Sequence, residues 1–160
     1  MVHITHNKHR LLELTIHIIC WGLFFGFPLF FTQDNSGSID WREFINHSGV
    51  SLSFFVIFYI NYLLFIPKVL FKEHTGQFIL LNILLILVVS IGLRYWHNII
   101  AFPPPAPRRP HLPPQYIFYI RDITSMIFTV GLSVAIRMSL RWSATELERR
   151  EAVKSRTEAE

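Results

Sequence analysis

Glu13, His17 and Cys20 follow one another at intervals of four and three residues, which sets them on one helical face with donor types suited to a metal or haem. No second histidine falls at a matching depth in another apolar run, and His97 lies at the opposite end of its own. The trio therefore reads as polar side chains meeting water near a membrane face, and neither metal nor cofactor is expected in this chain. A second group gathers around two run ends. Arg94, Tyr95, Trp96 and His97 close one apolar run, while Tyr116, Tyr119, Arg121 and Asp122 open the next. The aromatics suit an interfacial belt. Charges just inside an apolar zone are costly unless paired or hydrated, so Arg94 with Asp122, or Arg121 with Asp122, is expected as an ion pair. With Arg108 and Arg109 in the intervening loop, these residues form the candidate sensing cluster.

A third group concerns packing rather than chemistry. Gly22 and Gly26 have the GxxxG spacing that allows close helix approach. Ser125, Thr129 and Ser133 share one face of a later run, and Gly131, Ala135 and Ser139 share another. Either set could join helices inside a bundle or across a dimer. The chain has no Walker glycine loop, nucleophile elbow, HExxH or kinase glycine loop, so no catalytic residue is assigned.

The elements that carry these groups are four apolar runs, at residues 14–31, 50–66, 78–93 and 117–136. At about 1.5 Å per residue, such runs cross most or all of a hydrocarbon core about 30 Å thick. The expected fold is all-α: a four-transmembrane-helix bundle at residues 1–142, and a charged helical linker at 143–160. The fourth run is the weakest, because Arg121 and Asp122 leave only residues 123–136 free of charge. The first begins after His3, His6, Lys8, His9, Arg10 and Glu13 and lacks a small-residue cleavage pattern, which marks a retained helix rather than a signal peptide.

With 160 residues and only 16% charged side chains, no room remains for a soluble catalytic domain beside four spans. The net charge of +4 does not point to nucleic acid, because the basic residues sit at run ends instead of forming a stripe. Lys8, Arg10, Lys68, Lys72, Arg137, Arg141, Arg149, Arg150, Lys154 and Arg156 fall on one side of a four-span arrangement. That is ten positive charges, against five on the other side from Arg42, Arg94, Arg108, Arg109 and Arg121, so both termini are expected in the cytoplasm. Cys20 is the single cysteine, which excludes an intrachain disulfide.

The loops differ in kind. Asp34, Asn35, Ser36, Gly37 and Ser38 form a turn cluster, and Asp40 with Glu43 resembles the start of a short helix on the outer membrane face. Span two is expected to stop at Pro67 and pair with span three as an antiparallel hairpin. Residues 102–114 contain seven of the nine prolines, a stiff extended strap. After the interface anchor Trp142, Glu146 reaches Arg150 at the i, i+4 spacing, so helix should continue beyond the membrane, and no stop signal precedes Glu160.

The stretch Ile60, Asn61, Tyr62, Leu63, Leu64, Phe65, Ile66, Pro67, Lys68, Val69, Leu70 resembles the inner end of the second span in bacterial LytS-like two-component sensor histidine kinases. Members of that family often carry Asn-Tyr followed by Ile-Pro and a basic loop. The resemblance extends loosely over the whole chain. It implies a sensor and membrane-anchor region preceding a phosphoacceptor histidine box and an ATP-binding domain, neither of which lies within these residues. ATP, magnesium and a response regulator would then belong to that kinase domain. The expected function is a sensory module in the bacterial inner membrane, acting as a homodimer and relaying a signal through span four. The alternative is a self-contained four-helix membrane protein that binds a small lipophilic ligand or serves as an accessory subunit. A small transporter is disfavoured, since the runs show no inverted repeat and few embedded polar groups beyond Asn61 and Asn82.

Overall fold

A computed structural model describes residues 2–32, 37–100 and 115–158. Its long elements are helices: α1 (Val2–Phe31), α2 (Trp41–Ile60), α4 (Thr75–Ile100) and α5 (Gln115–Thr157). Between α2 and α4 lie a π-helical segment, Asn61–Phe65, the single turn α3 (Ile66–Lys68) and a 3-10 turn, Leu70–Lys72. The fold divides into two compact units, Met1–Phe55 with Ile91–Leu112 and Val56–Ser90 with Pro113–Glu160.

In the first unit, aromatic side chains join α1 to α2. Trp21 meets Phe55 edge-on with ring centroids 4.9 Å apart, and Phe24 meets Phe54 at 5.8 Å. Edge-to-face geometry sets the positive rim of one ring on the negative face of the next, worth about 1 kcal/mol per pair beyond the area buried. The chain then reverses through Thr32, whose carbonyl accepts the Asp40 amide at 2.9 Å. Asp40 caps α2, its Oδ1 accepting the amides of Arg42 (3.0 Å) and Glu43 (3.2 Å). These satisfy two of the donors that a helix start leaves open.

The expected helix start at Asp40 is therefore present, but the separate short helix is not. Trp41 through Ile60 form one uninterrupted helix. The intervening stretch contains no Pro, and Gly49 within it has a packing reason. The Trp96 indole of α4 lies against it, and its Nε1 donates to the Ile45 carbonyl at 3.2 Å. Arg42 Nε donates to the Ile100 carbonyl at 3.1 Å, satisfying an acceptor at the α4 C-terminus.

The second unit is built around Ile57, Phe58, Tyr62, Ile66, Phe78 and Met126, all buried. Helix continues past Pro67 to Lys68 before the 3-10 turn, and Glu73, with φ of 66°, reverses the chain. Its amide donates to the Leu70 carbonyl and that of His74 to the Val69 carbonyl, closing the connection to α4. Helix α5 has 43 residues, about 65 Å at the helical rise, roughly twice the thickness of a hydrocarbon core.

Three helical stretches are long and apolar enough to cross a membrane, Trp41–Lys72, Thr75–Ile100 and Tyr116–Thr157, and their most apolar 18-residue segments have mean hydropathies of 2.0, 2.4 and 1.6. Helix α1 carries a further apolar stretch, Leu14–Phe30. Large apolar side chains point outward on all of these helices, among them Leu23, Phe30, Leu52, Val88, Ile91 and Phe128. Such faces are costly in water and fit hydrocarbon, which indicates a membrane protein.

Candidate functional site

The residues of the expected sensing cluster fall in both compact units and, for Arg108 and Arg109, outside the described residues. Arg121 and Asp122 form an ion pair, with Nε and Nη2 of the guanidinium donating to Asp122 Oδ1 at 2.9 and 2.8 Å. The Asp122 side chain is 14% exposed while that of Arg121 is 60% exposed and lies over the Phe118 ring at 5.5 Å. Of the two pairings expected from sequence, this is the one observed, and the pair is locally neutral. Arg94 belongs to the other unit, on α4, and Arg108 and Arg109 lie outside the described residues.

The candidate packing residues also resolve individually. A Cβ built on Gly22, Gly26 or Gly131 meets nothing within 4 Å, so these faces stand open. Ser125 Oγ donates to the Arg121 carbonyl at 2.9 Å, Thr129 Oγ1 to the Ser125 carbonyl at 2.9 Å, and Ser133 Oγ to the Val130 carbonyl at 2.7 Å. Their hydroxyls are spent on their own helix, a bonding mode that tends to bend helices slightly. Ser133 is fully buried. Cys20 is exposed, and among the described residues no three His, Cys, Asp or Glu side chains gather at metal-binding range.

The most organised polar arrangement was not singled out from sequence. It joins the α2–α4 connection to α5. Tyr62 stacks on Phe58 with centroids 5.5 Å apart and planes 12° from parallel, and the Arg137 guanidinium lies over Tyr62, 4.6 Å from its centroid. One helical turn further, Arg141 lies over Phe71 at 4.4 Å. Cation–π contacts of this kind contribute about 0.5 to 2 kcal/mol, most where water is excluded. Beneath them is Asn61, 0% exposed, whose Nδ2 donates to the Ile57 carbonyl at 3.0 Å. Asn61 Oδ1 and Arg137 Nε are buried with no hydrogen-bond partner.

A signal for this site existed. Arg137 and Arg141 sit four apart at the end of an apolar run that offers no nearby carboxylate. What the sequence did not reveal is the π-helical turn at Asn61–Phe65, which adds a residue to the turn carrying Asn61 and Tyr62. Such segments occur often where side chains must be re-aimed.

The fold and this site define a helical membrane protein whose last helix is clamped to the connection before α4. The chain matches no protein-family model, no curated protein and no solved structure.

Proposed function

We propose that this chain is the membrane-embedded sensory and anchor module of a bacterial two-component sensor histidine kinase. On this reading it crosses the inner membrane four times with both termini in the cytoplasm and pairs with a second copy. The observation that supports it best is α5, one uninterrupted helix from Gln115 to Thr157. It leaves its apolar stretch after residue 136 and continues through Trp142 into a tail rich in Glu and Arg. Because each backbone amide of a helix bonds the turn before it, a shift of about 1 to 2 Å at one end is carried rigidly to the other. The resemblance around Asn61, Tyr62, Ile66 and Pro67 supplies the kinase class, and the excess of basic residues at the proposed inner ends supports the topology.

The test uses the full-length product of the gene that encodes these residues, isolated in its native membrane and incubated with ATP. Acid-labile phosphohistidine should form, and its level should respond to growth conditions. A variant with Gly and Pro at Ala144 and Thr145 should insert normally yet lose that response. Absence of phosphohistidine in the unaltered protein removes the kinase assignment, and an unaltered response in the variant removes the helix relay.

A further inference from the structure

The clamp between α5 and the connection before α4 has a chemical property that attachment alone does not explain. Arg137 and Arg141 of α5 lie over Tyr62 and Phe71 of the connection, whose own sequence places Lys68 three residues before Phe71 and Lys72 directly after it, so four cations belong to the two elements that meet there. Among the described residues none of the four has a carboxylate partner, whereas Arg121 and Arg150 each have one. Like charges four apart on a helix repel, and a guanidinium keeps its charge at any physiological pH. The aromatic rings hold Arg137 and Arg141 from one side only. Arg137 Nε is cut off from water and has no acceptor.

Apolar surface adjoins these cations on both elements. Leu63 and Leu64 are 54% and 44% exposed beside Tyr62, and Met138 and Leu140 are 51% and 43% exposed beside Arg137 and Arg141. A free phosphate would satisfy the cations but leave that surface uncovered. A phospholipid covers both, its phosphate among the basic side chains and its acyl chains along the leucines.

We infer that Lys68, Lys72, Arg137 and Arg141 form a binding site for the phosphate headgroup of an anionic phospholipid. The site rests on the membrane reading proposed above. Its anion neutralises the repulsion between Arg137 and Arg141, four apart on α5, and ties α5 to the connection before α4. Lipid occupancy thus becomes part of what fixes the last helix.

The experiment reconstitutes the full chain into discs of phosphatidylcholine and phosphatidylglycerol in equal parts, releases it in neutral detergent, and weighs the retained lipids by native mass spectrometry. Phosphatidylglycerol should be retained preferentially. The preference should fall about fivefold for each cation removed, taking about 1 kcal/mol per basic residue at a charged surface. Lys68→Gln with Lys72→Gln leaves both arginine–aromatic contacts in place, so its folding is protected, and Arg137→Gln with Arg141→Gln tests the guanidiniums. Arg149→Gln with Arg156→Gln, on the tail, should leave the preference unchanged. Equal loss in the tail variant means diffuse attraction and overturns the site. So does retention of phosphatidylcholine equal to that of phosphatidylglycerol. Stabilisation by inorganic phosphate alone, with the same dependence on the four residues and no competition from phosphatidylglycerol, overturns the lipid assignment. Failure of the chain to resist alkaline extraction from membranes overturns the membrane reading with it, whereas insertion without lipid preference overturns this inference alone.

Discussion

At the scale of single residues, two positions show how the backbone was fitted to its neighbours. A Cβ on Gly49 would lie 2.5 Å from Trp96 Cδ1 and 2.6 Å from its Nε1, inside any permitted contact. The indole is held in place by its own hydrogen bond to the Ile45 carbonyl, so it cannot simply swing away. Gly49→Ala should therefore cost about 1 to 3 kcal/mol, the usual range for overpacking, measured by urea unfolding in detergent. Gly22→Ala, where a Cβ meets open space, should cost nothing comparable within one chain. Glu73 presents the opposite case. Its φ of 66° is a left-handed conformation in which a Cβ is strained, yet the side chain is exposed and makes no ion pair among the described residues. Glu73→Gly should gain about 1 kcal/mol by removing that strain, read as a higher thermal midpoint in the same detergent. Neither position was legible in the sequence, since a glycine in a helix or a glutamate in a turn reveals nothing about a partner tens of residues away.

At the scale of elements, legibility follows whether the determining contacts are local. The Asp40 cap and the Glu146–Arg150 pair, with Arg150 Nε donating to Glu146 Oε1 at 3.0 Å, were both readable because each joins residues within one turn. Removing the cap by Asp40→Ala should cost about 1 kcal/mol and fray the first turn of α2, visible as faster amide exchange at Arg42 and Glu43. The continuity of α2 was not legible: the polar residues Asn46, His47 and Ser48 separate its first two turns from the apolar run at 50–66. Their placement is compatible with helix: Ser48 Oγ donates back to the Phe44 carbonyl at 2.8 Å, and His47 lies 3.8 Å from Glu43 one turn earlier. The π-helical turn at Asn61–Phe65 depends on packing across the second unit and has no sequence signature of its own. The stack of Phe58, Tyr62 and Arg137 was hidden for the same reason, although every one of its members was visible.

At the scale of the whole molecule, the number of membrane crossings decides which end of each helix meets the cytoplasm, and α1 is the element on which it turns. Its apolar run, residues 14–31, extends about 27 Å, close to a hydrocarbon core about 30 Å thick, and Pro28 removes one amide from its last turns. A bilayer accommodates such a shortfall by local thinning at a fraction of a kcal/mol per Å, far less than leaving Leu14, Ile18, Leu23, Phe27 and Phe30 exposed to water. The proposed four crossings differ from three at α1 alone, and labelling distinguishes them. In a Cys20→Ser background, single cysteines would be placed by Thr5→Cys, Ser38→Cys, Glu73→Cys and Ser155→Cys and treated with a membrane-impermeant maleimide on intact cells. Ser38→Cys should react at once, whereas Thr5→Cys, Glu73→Cys and Ser155→Cys should react only after the membrane is opened. Joint labelling of positions 5 and 38 would place both ends of α1 outside, reduce the count to three, and cancel the basic-residue asymmetry from which the orientation was argued. Protection of position 5 fixes the basic N-terminal segment and the α5 tail in one compartment, the arrangement a relay through α5 requires.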